Sequence, residues 1–186
     1  MGLYEAAQKA AGDKMSRNTK IVAITAAVLV VAVAALAWLN RGNAADRKAM
    51  QESGAFYFTA GDRRYPVTMD DLREIGLRSV EASYKTNLMP AVQKKYSGVS
   101  LKSVLDRLDV DYSGAKSVSF SGADGYVSAV RIATALDEEN CFIVVEEAGK
   151  PLGTLESGGF GPYMAIFAKD RFSQRWCKYL LEITLN

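Results

Sequence analysis

Nineteen consecutive residues, Ile21 to Leu39 (IVAITAAVLVVAVAALAWL), carry no charge. As a helix rising about 1.5 Å per residue, such a stretch is about 28 Å long, close to the ~30 Å hydrocarbon core of a bilayer. Its apolar residues run all round with no polar face, which does not suit a helix covering one side of a soluble core. Lys20 and Arg41 flank it, and Trp38 sits near one end, where an aromatic ring prefers the interface. A cleaved signal peptide is the competing reading, with Ala35-Leu36-Ala37 as a small-residue cleavage site. The apolar core exceeds the usual ~7–15 residues of a signal, so an uncleaved anchor is expected.

The anchor divides the chain into a tail (residues 1–20), a transmembrane helix (21–39), a polar linker (40–54) that is either helical or flexible, and a compact domain (55–186). Lys9, Lys14, Arg17 and Lys20 precede the span, against Arg41, Arg47 and Lys48 after it. This excess predicts a cytoplasmic N-terminus and an extracytoplasmic C-terminal domain on a single-pass membrane protein. The spacing of Ala23 and Ala27 suits close helix packing, but an alanine-rich anchor produces it by chance.

Residues 1–45 hold five basic and two acidic side chains, a net +3. The remaining 18 basic and 19 acidic residues leave 46–186 at −1, so the chain's formal +2 belongs to the tail. A domain with no basic excess does not suit nucleic acid as a partner. The tail's cations suit anionic lipid headgroups or simply set topology. The chain has no His and two Cys. Ser-His-Asp and Cys-His catalysis, Cys/His zinc fingers, His-ligated haem, and four-Cys zinc or iron–sulfur sites within one chain are thereby excluded.

The domain reads as α+β and β-rich. Phe56 and Phe58 alternate with Tyr57 and Thr59, Gly61-Asp62 turns, and Tyr65–Val67 resumes a strand. Thr68 and Asp71 form a capping box for a helix Met69–Ile75. Leu77–Lys85 and Ala91–Tyr96 are strand candidates. Ser100 caps a helix whose Leu101, Val104, Leu105 and Leu108 share one face. Ser117–Ser121 and Tyr126–Arg131 flank the turn Ala123-Asp124-Gly125. Cys141–Glu147, Tyr163–Phe167 and Leu180–Leu185 complete the strands, with turns at Gly149-Lys150-Pro151 and Gly158–Pro162. About 130 residues of this kind bury a core of their own. Asp137-Glu138-Glu139 reads as an exposed helix end or loop, and Glu146-Glu147 as part of an edge strand. The glycine loop lacks the Gly-Lys-Ser/Thr of a nucleotide loop and reads as a turn. Asp124-Gly125 is a turn signal before it is a catalytic or metal carboxylate.

Several segments, in fixed order, resemble a known family. Tyr96-Ser97-Gly98-Val99-Ser100-Leu101 followed by Val104-Leu105, Val118–Tyr126 ending in Asp124-Gly125-Tyr126, Gly149-Lys150-Pro151-Leu152, the Gly158–Pro162 turn and Arg175-Trp176-Cys177-Lys178-Tyr179-Leu180 resemble the oxidoreductase molybdopterin-binding domain, the fold of sulfite oxidases. The resemblance covers residue 55 to the C-terminus. It implies a sulfite-oxidase-like fold and molybdopterin as a possible cofactor. In catalytic members a Cys thiolate ligates molybdenum just before the Tyr-x-Gly-Val-Pro-Leu segment. Here that stretch is Glu81-Ala82-Ser83-Tyr84-Lys85-Thr86-Asn87, with no Cys. The soft metal centre wants sulfur, and neither Lys85 nor Thr86 supplies it. Tyr163-Met164 also stand where the family often has Arg after the Gly-Pro turn.

Arg175 and Lys178 match the closing segment, which in the family runs beside the cofactor. With Lys85 they are the candidate cofactor-binding residues, as donors to a pterin phosphate or other anion; the competing reading is a solvated basic edge. Tyr84 and Tyr126 flank the segment where the family's site would be, but core tyrosines are commoner than catalytic ones. No metal ligand is expected. Cys141 and Cys177 either pair, if the domain is extracytoplasmic, or stay as small buried hydrophobes.

Three functions follow from the resemblance and the missing ligand. The first is a membrane-anchored ligand-binding or accessory module for a small anionic or pterin-like molecule or a membrane-protein partner. The second is an active molybdopterin-dependent oxidoreductase with an atypical ligand set. The third is a structural subunit of a membrane complex.

Overall fold

The computed structural model describes residues 17–52, 54–86, 90–154 and 156–186. The tail before residue 17, Asn87 and the side chains of Trp38 and Arg41 lie outside the described residues. Two compact units divide between Ala45 and Asp46.

The first unit contributes most of one long helix, α1 (Arg17–Glu52). Within it, Thr19–Leu36 is long and apolar enough to cross a membrane, and every one of those side chains is exposed. The helical backbone runs on through the linker region to Glu52, which decides the open choice there between helix and flexible spacer.

The second unit is β-rich, as its alternating sequence requires. Its elements are β1 (Ala55–Ala60), β2 (Arg63–Thr68), α2 (Met69–Ile75), β3 (Arg78–Tyr84), β4 (Val92–Ser100), α3 (Leu101–Arg107), β5 (Ser117–Gly122), β6 (Val127–Arg131), α4 (Ile132–Ala135), β7 (Cys141–Glu147), β8 (Lys150–Pro151), β9 (Met164–Phe167) and β10 (Leu180–Leu185), with a 3₁₀ turn at Ser173–Arg175. Two five-stranded sheets result. The first has the order β2-β1-β10-β5-β6, and the second has β3-β4-β7-β8 with β9 also on β7. β1 and β10 pair in parallel, Phe58 beside Ile183; most of the other neighbours run antiparallel.

In the first sheet the strands alternate buried and open, so one face is core and the other is wet. Phe58, Ile183 and Phe120 form one inward row. In the second sheet β7 is apolar from Cys141 to Val145, and all five are buried. α3 covers part of this sheet with Leu101, Val104 and Leu105. Phe120 of β5 meets Phe167 of β9 edge to face at 5.5 Å, and one continuous core joins the two sheets.

The capping box forms as its spacing predicts. The Thr68 hydroxyl accepts from the Asp71 N–H at 3.3 Å, and the Asp71 carboxylate accepts from the Thr68 N–H at 2.8 Å. Bonding from Thr68 holds the Asp71 carboxyl below its ordinary range. A lowered pKa in the folded state adds stability above the ordinary carboxylate range and loses it as the pH falls through the lowered value. Thr68→Ala is therefore expected to cost about 1 kcal/mol at neutral pH, and the cost should shrink in acid. Thermal melts of the pair at several pH values check both parts.

Three local readings are corrected. Glu146-Glu147 do not lie on an edge: β7 has β4 on one side and β8 and β9 on the other. Strand β4 does not stop at Tyr96 but continues to Ser100, because Gly98 is an in-strand glycine. A Cβ there would stand 2.3 Å from the Ile143 carbonyl oxygen, at a bulge between Ser97 and Gly98. Tyr126 precedes its strand, and the short helix α4 follows it.

Candidate functional site

Strand register assembles the polar cluster. Tyr84 lies opposite Val92, Ala82 opposite Lys94 and Val80 opposite Tyr96, so Tyr84, Lys94 and Tyr96 share one face of the β3–β4 ladder. On the other side of β4, Tyr96 lies opposite Glu147, which joins the same face. The Lys94 ammonium meets the Glu147 carboxylate at 2.6 Å and stands 4.9 Å from the Tyr84 ring centre.

Two further segments close over this face. The glycine loop is pinned by Phe160 N–H donating to the Leu152 carbonyl (3.0 Å) and Gly161 N–H to that of Gly153 (2.8 Å). It sets the Phe160 ring 6.0 Å from Tyr84, nearly parallel to it. The closing segment brings Trp176, which touches both Tyr84 (5.8 Å) and Tyr96 (5.7 Å). The same segment brings Lys178, whose ammonium donates to the Tyr84 hydroxyl at 3.1 Å and stands 4.0 Å over Phe160. Lys178 has no carboxylate partner among the described residues.

Tyr96 lies behind this cage. It is fully buried, and its hydroxyl has no hydrogen-bond partner among the described residues. Burial, and then the negative charge of Glu147, push its phenol pKa upward, so the proton stays on and the group is a donor. A buried hydroxyl left without a partner costs about 1–3 kcal/mol.

The three candidate cations occupy three different aromatic settings. Lys178 enters the cage. Lys85 extends over the Phe172 ring at 4.4 Å, while its carbonyl accepts from the Ser173 N–H (3.2 Å) and hydroxyl (2.7 Å). Arg175 packs over Phe167 and forms a two-point ion pair with Asp170, at 2.8 and 2.5 Å, which raises its pKa. The guanidinium fork is therefore already filled by a carboxylate. Tyr126 is bound elsewhere, its hydroxyl donating to the Gln174 carbonyl. Asp124 caps its turn by accepting from the Tyr126 N–H at 3.0 Å. Asp137 turns the chain ahead of β7, accepting from the Glu139 N–H and pairing with Lys169. Lys94, Glu147, Phe160 and Trp176 were not singled out as site residues in the sequence. Their meeting depends on pairings across tens of residues, although the segments carrying the last two were.

The donors present do not fit a thiolate-bound molybdenum. At the place expected for the ligand, β3 ends in Ser83 and Tyr84, followed by Lys85 and Thr86. Cys141 and Cys177 are both free and buried, which answers whether they pair. Burial pushes the Cys177 thiol up to about 12 and raises Cys141 as well. Thiols held protonated in a core are poor nucleophiles and poor metal ligands. A maleimide at neutral pH is expected to leave the folded chain unlabelled and to modify both positions after denaturation. Rapid labelling of the native chain would contradict this packing.

Residues 60–186 match the family described as the oxidoreductase molybdopterin binding domain. Among solved structures, the chain resembles the sulfane dehydrogenase SoxCD from Paracoccus pantotrophus, with a TM-score of 0.59 at 13% identity. The likeness covers 73% of this chain and 38% of that one, so the chain spans well under half of the larger protein. No curated protein sequence matches the chain.

Proposed function

The chain belongs to the oxidoreductase molybdopterin-binding domain family, and from that membership we propose that it is a membrane-tethered ligand-binding or accessory module. In this reading the family scaffold is kept and the thiolate for molybdenum is absent. The observation that carries it is the cage around Lys178. An ammonium without a carboxylate among the described residues bonds to the Tyr84 hydroxyl and stands over Phe160, with Trp176 packed against Tyr84.

Such a cage suits a small anionic or pterin-like ligand. Lys178 supplies a charge-assisted hydrogen bond to an oxygen or phosphate. Tyr96, fully buried against Trp176, supports the rings from within the core. The ring faces suit a flat heterocycle. Lys94 is balanced by Glu147 and contributes shape more than net charge. Arg175 is held by Asp170 and would position the closing segment, with Lys85 outside the cage as a secondary cation. If molybdopterin were bound, it would supply redox chemistry; no step through it follows from these residues.

The tether is the exposed apolar stretch Thr19–Leu36. The balance of flanking cations favours an extracytoplasmic domain, where a membrane-protein partner is the natural target of an accessory module. Protease added to intact cells or spheroplasts should then degrade the domain.

Metal analysis of the protein from its native host tests the central claim. Substoichiometric molybdenum is expected, and stoichiometric molybdenum would overturn the accessory reading in favour of an oxidoreductase with an atypical ligand set. Binding is tested with inorganic phosphate and with pterin-6-carboxylate, followed by fluorescence. Lys178→Met is expected to weaken whichever binds by about ten- to a hundredfold, the worth of one hydrogen bond to a charged group. Arg63→Met, on β2, should leave it unchanged.

A further inference from the structure

The two sheets end in edge strands, and all but one carry a device that discourages pairing with another strand. β2 opens with Arg63-Arg64 and contains Pro66. β3 carries Arg78 and Glu81. β8 is only Lys150-Pro151. β9 is occupied on its free side by Cys177, whose N–H and carbonyl both bond to Ala165 at 2.9 Å. β6 differs: it reads Val127-Ser128-Ala129-Val130-Arg131, with no proline and no charge before its last residue.

The ladder fixes which groups of β6 are free. Tyr126 accepts from the Gly122 N–H at 2.9 Å, and the Ile132 N–H donates to Lys116 at 3.0 Å. By the alternation of an antiparallel pair, Ser128 and Val130 direct their main-chain groups to β5. Val127, Ala129 and Arg131 direct theirs outward, and those N–H and carbonyl groups have no partner among the described residues. The same three side chains are exposed, Val127 by 56%.

We propose that β6 is an interface between two copies of this chain, paired antiparallel about Ala129. The outward main-chain groups are open to a strand partner; the sequence of β6 makes its own copy the fitting one. Pairing about Ala129 sets each Arg131 opposite a Val127, so the two cations never face each other. The arginine stem covers the exposed valine. At the centre, alanine faces alanine, with no bulk to hold the strands apart. The contact is isologous and closes as a two-fold dimer, joining the first sheets of the two copies into one.

The test uses the full chain in mild detergent with a gentle oxidant. Cys141 and Cys177 are buried and do not compete. Ala129→Cys sits at a hydrogen-bonded pair, where the Cα separation of about 5.5 Å permits a disulfide. It should give a covalent dimer on a non-reducing gel, severalfold more than Arg64→Cys on the guarded edge β2. Copies carrying Val127→Cys mixed with copies carrying Arg131→Cys should cross-link more than either alone. Adding Ala129→Lys to that mixture sets two like charges opposite each other and should abolish the excess, with the circular dichroism unchanged. The proposal is overturned if Ala129→Cys cross-links no better than Arg64→Cys, or if the mixture shows no excess.

Discussion

Phe120→Ala is expected to destabilise the compact domain by about 4 kcal/mol, within the range for deleting a buried phenyl ring. For a domain of this size that lowers the melting temperature by roughly 10–20 °C. Phe120 is fully buried and does two jobs. On its own sheet it fills the inward row beside Ile183. Across the core its ring meets Phe167 of β9 edge to face. Alanine removes both contacts and leaves a cavity between layers that are already close-packed. Phe120→Leu fills most of the volume and should recover more than half of the loss. Near-ultraviolet circular dichroism against temperature measures both variants; a Phe120→Ala chain that melts like the parent would show that the sheets are joined elsewhere.

Gly98→Ala is expected to cost about 3 kcal/mol, at the upper end for forcing atoms into a packed site. The added methyl would meet the Ile143 carbonyl oxygen at 2.3 Å and the Val144 Cα at 2.7 Å. Both are main-chain atoms of β7, so no side chain can swing aside; the strands themselves must separate. That separation disturbs the register which puts Tyr96 opposite Glu147 and Lys94 within reach of the same carboxylate. The substitution should therefore lower stability and weaken binding of the phosphate or pterin probe together. Gly114→Ala is the matched comparison: its Cβ would meet nothing within 4 Å, and it should be close to neutral. Denaturant melts of the pair separate close approach from the general effect of losing a glycine.

Gly98 also marks where sequence reading stops. In sequence a glycine after Tyr-Ser signals a turn, because glycine is commonest where the chain bends. Here it sits inside a strand, and the reason is a neighbour 45 positions away, which no local pattern carries. The Thr68–Asp71 box and the apolar face of α3 were legible because both ends of each signal lie within one helical turn. β7 was legible as a strand, yet its place in the sheet was not; two glutamates at its end resemble edge protection until β4 and β8 are found on either side of them. The site divides along the same line. Lys178 and Tyr84 were each marked, but their contact spans 94 positions and arises only from the fold. Arg175 reads as a free anion donor until Asp170, five residues earlier, is seen to fill it.

The parallel pairing of β1 with β10 has a consequence for how the protein is made. Tyr57 lies beside Glu182 and Ala60 beside Leu185, so β1, although β2 pairs with it at once, keeps its other side open during synthesis until β10 has been added. Until then β1 and β5 both wait with a vacant side. The strand that joins the two halves of the first sheet is the last of its five to be made, and the nascent domain is exposed to mispairing until it arrives.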